Sequence, residues 1–162
     1  MNKYKSIIIV LNLLILLIYF NYSVSTKETI LKDGKLILLE LAPTDPRSLM
    51  QGDYMTLRYK IAARDNIKQY PKRGYCVVQL DDRGIANVVR FQRSKTPLST
   101  NERLIEYSSP DDWDINIGAE SYFFEEGQAD KFGVARYGAL KVDTNGNSLL
   151  VGLYDEHLKR IE

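Results

Sequence analysis

The chain has 162 residues, with 22 Lys and Arg against 21 Asp and Glu, a single His and a single Cys. That length suits one hydrophobic core plus an appendage, and a formal charge of +1 gives no global field that would gather nucleic acid. One Cys excludes an internal disulfide. His157 lies in the terminal YDEHLKRIE, which leaves Ser-His-Asp and Cys-His catalytic sets and the usual zinc sets short of members. The sequence therefore names no metal and no cofactor, and glycine-rich phosphate loops are absent. Cys76, in YCVVQL, has no neighbour that would lower its pKa and reads as a small buried hydrophobe.

MNKYK opens the chain and is followed by SIIIVLNLLILLIYF, an apolar run broken only by Asn12. From Ser6 through Ser25 it offers 20 residues, matching the ~20 a helix needs to cross about 30 Å of hydrocarbon. Tyr19 and Tyr22 at the far end suit an interfacial belt. Residues 1–5 read as a cytoplasmic tail and residues 6–25 as a single-pass transmembrane anchor. A second reading is a cleavable signal peptide, because a basic start, an apolar heart and Ser23-Val24-Ser25 supply its three parts. A short basic tail is readily retained while a long following segment is translocated largely regardless of charge. The rest of the chain is expected to face outward.

Residues 26–35, TKETILKDGK, place Glu28 and Lys32 at the i,i+4 spacing and Gly34 where a helix would end, which predicts a short stalk helix. From residue 36 to 162 the pattern is that of strands. LILLELA has strand length, and GYCVVQL, DDRG and IANVVRFQ spell a hairpin. YGALKV, DTNGN and SLLVGLY spell another, with Asn145-Gly146 expected to supply positive φ angles. SYFFEE, residues 121–126, reads as a strand, and EGQADKFGVAR as one helical turn broken at Gly133. The stretch from Arg93 to Gly118 is too long for a structureless loop in a compact domain, so ERLIEY within it is expected to be a strand. About seven strands with little helix predict a mainly β fold, an antiparallel sheet or barrel-like domain on one N-terminal transmembrane helix. Asp111, Asp112, Asp114, Glu120, Glu125 and Glu126 lack the fixed spacing of a calcium loop and read as solvated loop acids.

The densest run is DPRSLMQGDYMTLRY, residues 45–59. Asp45 suits an N-cap, Pro46 the first helical position and Gly52 the left-handed position after a helix, which predicts one or two helical turns. Beyond them Met55, Leu57 and Tyr59 share one strand face, and Tyr54, Thr56 and Arg58 the other. Arg47 and Asp53 can pair across this corner, or line a polar pocket with Tyr54. LAPTDPRSLMQGDYMTLRYKI resembles the signature of the GDYXXLXY family, with Gly52, Asp53, Tyr54, Leu57 and Tyr59 at the named positions. YFFEEG and the ARYGALKVD and GNSLLVGL segments extend the resemblance over most of the chain. It implies a bacterial, membrane-anchored protein, in the inner (cytoplasmic) membrane with its domain toward the periplasm or cell exterior, of a kind often found beside multi-span membrane proteins. It brings no catalytic residues.

A weaker likeness lays TDPRSLMQGD on the nucleophile motif of type-I signal peptidases, with Leu49, Gly52 and Asp53 matching. Thr44 then stands in place of the serine nucleophile, Arg47 in place of a proline, and Val89 and Arg90 where a lysine base is required. A guanidinium cannot serve as that base. Two functions follow from the sequence. The first is a non-enzymatic binding module for a membrane-protein partner, with no nucleic acid involved. The second is a hydrolase or ligand-binding domain whose polar site combines Arg47, Asp53 and Tyr54 with Tyr59, Glu125 and Glu126.

Overall fold

The computed structural model describes residues 3–42, 54–62, 70–110, 114–125 and 127–162; the helical turns expected over residues 45–52 lie outside them. The expected anchor and stalk are one element, helix α1, Lys3–Asp33. It contains no Gly or Pro, so nothing interrupts its hydrogen-bond ladder between the apolar run and the domain. Ile7 through Phe20 are exposed on every side, and all but Asn12 are apolar or aromatic; this one helix is long and apolar enough to cross a membrane. A helix that is apolar all round is suited to hydrocarbon, not water.

Near its end α1 meets the domain. Ile30 is 2% exposed, the Gly34 N–H donates to the Ile30 carbonyl at 2.9 Å, and Lys141 Nζ donates to the Gly34 carbonyl at 2.9 Å. A Cβ at position 34 would meet the Ile30 carbonyl oxygen at 2.4 Å and the Val142 nitrogen at 3.2 Å. Only glycine lets the chain pass straight from helix into strand here.

The strands are β1 (Lys35–Glu40), β2 (Tyr54–Thr56), β3 (Arg73–Leu80), β4 (Ala86–Gln92), β5 (Glu102–Ser108), β6 (Ser121–Phe123), β7 (Tyr137–Val142) and β8 (Ser148–Tyr154), with one short helix, α2 (Ala129–Phe132), before β7. All ladders between them are antiparallel. They form three sheets, ordered β1-β7-β8, β4-β3-β5 and β2-β6, and no closed barrel among the described residues. The stretch expected to hide a strand supplies β5, whereas SYFFEE supplies only the three residues of β6. Phe124 turns back toward α2, its ring centroid 5.3 Å from that of Phe132.

The two larger sheets are quasi-equivalent. A shift of 62 residues, 143 minus 81, lays Tyr75 on Tyr137, Asp81 on Asp143, Gly84 on Gly146 and Val89 on Val151. The hairpins share their register, Leu80 opposite Ala86 and Val142 opposite Ser148, and they bulge at the same place, after Val77 and after Ala139. In each turn the first Asp accepts two backbone N–H groups on Oδ1: Arg83 and Ile85 at 2.9 Å, and Asn145 and Asn147 at 2.8 and 2.9 Å. Gly84 and Gly146 take the left-handed position at φ 82° and 94°. Asn145, expected to share it, does not, because this five-residue turn needs one positive φ where a two-residue turn needs two.

Each hairpin's first strand carries a third strand on its other side, β1 beside β7 and β5 beside β3. The turns then cross over. Leu38 on β1 donates its N–H to the Gly84 carbonyl at 2.9 Å, and Glu106 on β5 donates to the Gly146 carbonyl at 2.8 Å. Each sheet's turn thus occupies part of the open edge of the other, which removes unpaired donors from two exposed strands. Between them lies one core, to which Ile37, Leu39, Leu140 and Leu153 come from one sheet and Cys76, Val78, Ile105 and Tyr107 from the other.

The same turn recurs at Asp155–Lys159, where Asp155 Oδ1 accepts from the His157 and Lys159 N–H groups at 2.9 Å. Here Leu158 holds the left-handed position at φ 62°, a backbone cost of about 1–2 kcal/mol offset by its packing on Leu38, Ile85 and Ala139. Gly34→Val forces a branched side chain against the Ile30 carbonyl and should cost ~1–3 kcal/mol, read as a lower denaturation midpoint of the full chain in detergent. Lys35→Ala, on an exposed side chain, should stay within ~0.5 kcal/mol. Equal midpoints for the two variants would refute a tight junction.

Candidate functional site

Two residues of the family signature, Leu57 and Tyr59, are buried in the core. β2 pairs with β6, Tyr54 opposite Phe123 and Thr56 opposite Ser121, and Leu57 continues the contact by donating its N–H to the Glu120 carbonyl at 2.6 Å. Leu57 and Tyr59 are buried, Met55 half-buried, while Thr56 and Arg58 are exposed, as the alternation predicts. Tyr59 is 1% exposed. Its hydroxyl donates to the Ala119 carbonyl at 2.7 Å and its backbone bridges Leu41 just after β1. Gly138 on β7 makes room for the ring, since a Cβ there would lie 2.8 Å from it. Burial, with the Glu120 carboxylate adding to it, drives the phenol far above its ordinary pKa, so Tyr59 stays neutral and acts as a fixed hydrogen-bond donor.

Of the other polar positions singled out in the sequence, Arg47, Asp53 and Glu126 lie outside the described residues. The Tyr54 backbone sits in the β2–β6 ladder opposite Phe123, two residues before Glu125. Glu125 is exposed and accepts from Gln128 Nε2 at 2.9 Å. The ladder therefore brings the Tyr54 backbone toward the Glu125 segment, while the Tyr59 ring occupies the core side of the same corner.

Arg90, which stands next to the position a proteolytic lysine base would need, is an anchor for a loop. Its Nη2 donates to Glu102 Oε2 at 2.9 Å and to the Pro97 carbonyl at 2.8 Å. Glu102 also accepts the Ser99 N–H at 2.9 Å, and Arg90 first, then the Ser99 N–H, hold its carboxyl down to about 2. The segment between β4 and β5 is tied to the sheet by this pair. At Asp143, burial pushes the carboxyl up, but donors from Asn147, Asn145 and Gly146 outweigh it and hold it below its ordinary value. That carboxylate is engaged by its own turn. His157 is exposed, its imidazole 3.5 Å from the Glu156 carboxylate. Among the described residues no three His, Cys, Asp or Glu side chains lie close enough together to hold a metal ion.

Open space lies elsewhere. A cleft of about 290 Å³ is lined by Lys27, Arg73, Glu106, Asn116, Asn147 and Ser148, among others. One of about 490 Å³ lies among Thr29, Asp33, Leu98, Arg103 and the Asp143–Asn145 part of the turn. Both use the last turns of α1. A third, of about 330 Å³, lies beside the exposed Glu40–Lys60 ion pair, 2.9 Å long, at the edge of β1. No local pattern in the sequence marks Lys27, Arg73 and Glu106 as neighbours, because the docking of a helix against two sheets brings them together.

One helix able to span a membrane, passing without a break into a domain of antiparallel sheets, defines a class of β domain carried on a single N-terminal helix. The chain belongs to the GDYXXLXY family: the family model described as GDYXXLXY protein matches residues 16–153. No curated protein and no solved structure matches it.

Two outcomes test this geometry. Tyr59→Phe strands the buried Ala119 carbonyl and should destabilise the domain by ~1–3 kcal/mol, measured by denaturation of the full chain in detergent. Glu102 has a folded-state pKa, about 2, below its ordinary 4.5, so its pairing contributes stability that is complete above the ordinary value and is lost as pH falls toward the folded one. The melting temperature of the unmodified chain should fall more steeply between about pH 4.5 and 2 than that of Glu102→Gln; parallel curves would show that the pair carries no pH-dependent stability.

Proposed function

We propose that the protein is an anchored binding module that docks against a multi-span membrane protein through its transmembrane helix and presents the β domain on the extracytoplasmic side of a bacterial inner membrane. The observation that carries this reading is Asn12. It lies six residues beyond Ser6, a rise of about 9 Å along the helix, and so within the hydrocarbon when α1 spans. Its side chain makes no hydrogen bond to the described residues. Asn21, Thr26 and Thr29, on the same helix, each bond the carbonyl four residues back, at 2.9, 3.0 and 3.0 Å.

A side-chain amide in hydrocarbon without a partner is costly, and every other side chain from Ile7 to Phe20 is apolar or aromatic. Another helix can supply the partner group, and such a contact contributes roughly 0.6–2 kcal/mol. The resemblance to the GDYXXLXY family, which implies a place beside multi-span membrane proteins, favours such a protein over a second copy of this chain.

Tagged full-length chain, extracted from its native membranes in mild detergent, should recover a multi-span protein in near-stoichiometric amount. Asn12→Leu should reduce that recovery several-fold at an unchanged level of the chain. Recovery of the chain alone, or equal recovery with both versions, would refute the reading. Cross-linking of Asn12→Cys only to itself would replace the proposed partner with a second copy.

A further inference from the structure

Lys27 lies two residues past Ser25, about 3 Å of helical rise, whereas the headgroup layer adds roughly 5–8 Å to each side of the hydrocarbon. With α1 in a bilayer, Lys27 is therefore at headgroup depth. It shares its cleft with the outer face of the β4-β3-β5 sheet. The register sets Arg73 opposite Ser108 and Tyr75 opposite Glu106, so Arg73, Glu106 and Ser108 share one face, with Arg73 and Glu106 as diagonal neighbours. Asn147 and Ser148 close the cleft from the β7–β8 hairpin.

Neither Lys27 nor Arg73 forms an ion pair among the described residues, in contrast to Lys60, Arg83 and Arg90. Two uncommitted cations beside side-chain amides and hydroxyls have the chemistry of a phosphate site. The neighbouring cleft supports a lipid as the source of that phosphate. There Leu98, 41% exposed, lies with Arg103 in a cleft of mixed charge beside Thr29 and Asp33 of the helix, an exposed apolar side chain next to a helix turn that begins about 6 Å past Ser25.

We propose that the cleft between α1 and the outer face of β3 and β5 binds a phospholipid headgroup, with its phosphodiester held by Lys27 and Arg73 and its terminal donor held by Glu106. Glu106 narrows the class. Ethanolamine and glycerol headgroups carry N–H or O–H donors that a carboxylate accepts, and choline carries none. The proposal rests on α1 spanning the membrane, as the functional reading does, but not on any protein partner.

The test uses the full chain in nanodiscs of equal parts phosphatidylethanolamine, phosphatidylglycerol and phosphatidylcholine, with retained lipid counted by native mass spectrometry after release. The unmodified chain should retain the first two lipids at least threefold over the choline lipid. K27Q/R73Q should lose retention of all three to background. E106A should keep retention but bring the choline lipid to parity, and K131Q, on α2, should behave as the unmodified chain. Equal retention of the three lipids by the unmodified chain, or selectivity that survives K27Q/R73Q, would overturn the proposal. Displacement of lipid by millimolar inorganic phosphate would overturn it in favour of a soluble phosphate ligand. Failure to enter the nanodisc would overturn the spanning helix itself, independently of the cleft.

Discussion

The carbonyl groups of Gly84 and Gly146 hold the β domain together. Each belongs to the turn of one hairpin and accepts an edge N–H from the third strand of the other sheet, Leu38 in one case and Glu106 in the other. Because the exchange is reciprocal, neither sheet can shift without breaking a contact that the other supplies. The core composition follows from it: two three-stranded sheets locked at both turns enclose the apolar faces of β1, β7 and β8 on one side and of β3 and β5 on the other. Tyr59 then fills the remaining corner, tying the segment after β2 to the Ala119 carbonyl and to the end of β1.

How much of this could be read in advance depended on whether the determinant was local. Both hairpins announce themselves through an Asp, a Gly three residues on and flanking β-branched runs, since the turn closes within five residues. β5 was legible by a different route, from the length of the stretch that would otherwise have no structure. The pairing of β1 with β7 was not, because Ile37 and Leu140 are 103 residues apart (140 minus 37) and no local signal encodes such a partner. The joining of anchor and stalk into a single helix was also missed. Hydropathy changes at Ser25, but a helix ladder responds to Gly and Pro, and neither occurs before Gly34.

The candidate site divides the same way. The spacing of Met55, Leu57 and Tyr59 encodes burial on alternate residues, and the structure places that face inward. A tyrosine in a short signature suggests binding chemistry, yet its hydroxyl is spent on a backbone carbonyl. Sequence reasoning passed over Lys27, Arg73 and Glu106 because they sit on three elements, each with an unremarkable surface charge. Their proximity depends on Ile30 and Gly34 seating the helix against β7 and β8. Asn12 was visible at once as the break in an apolar run, but its weight comes from comparison with Asn21, whose amide has a carbonyl to bond.

The unbroken helix has a mechanical consequence. For α1 spanning a bilayer, the absence of Gly and Pro before Gly34 leaves no swivel between hydrocarbon and sheet, and an inclination of the helix carries the domain with it. A tilt of about 20°, ordinary for a transmembrane helix, swings a point 30 Å away through roughly 10 Å. Bilayer thickness, or the angle imposed by a neighbouring helix, is thereby converted into the height and aspect of a whole protein surface, as a lever converts a small turn at its pivot into a long sweep at its tip.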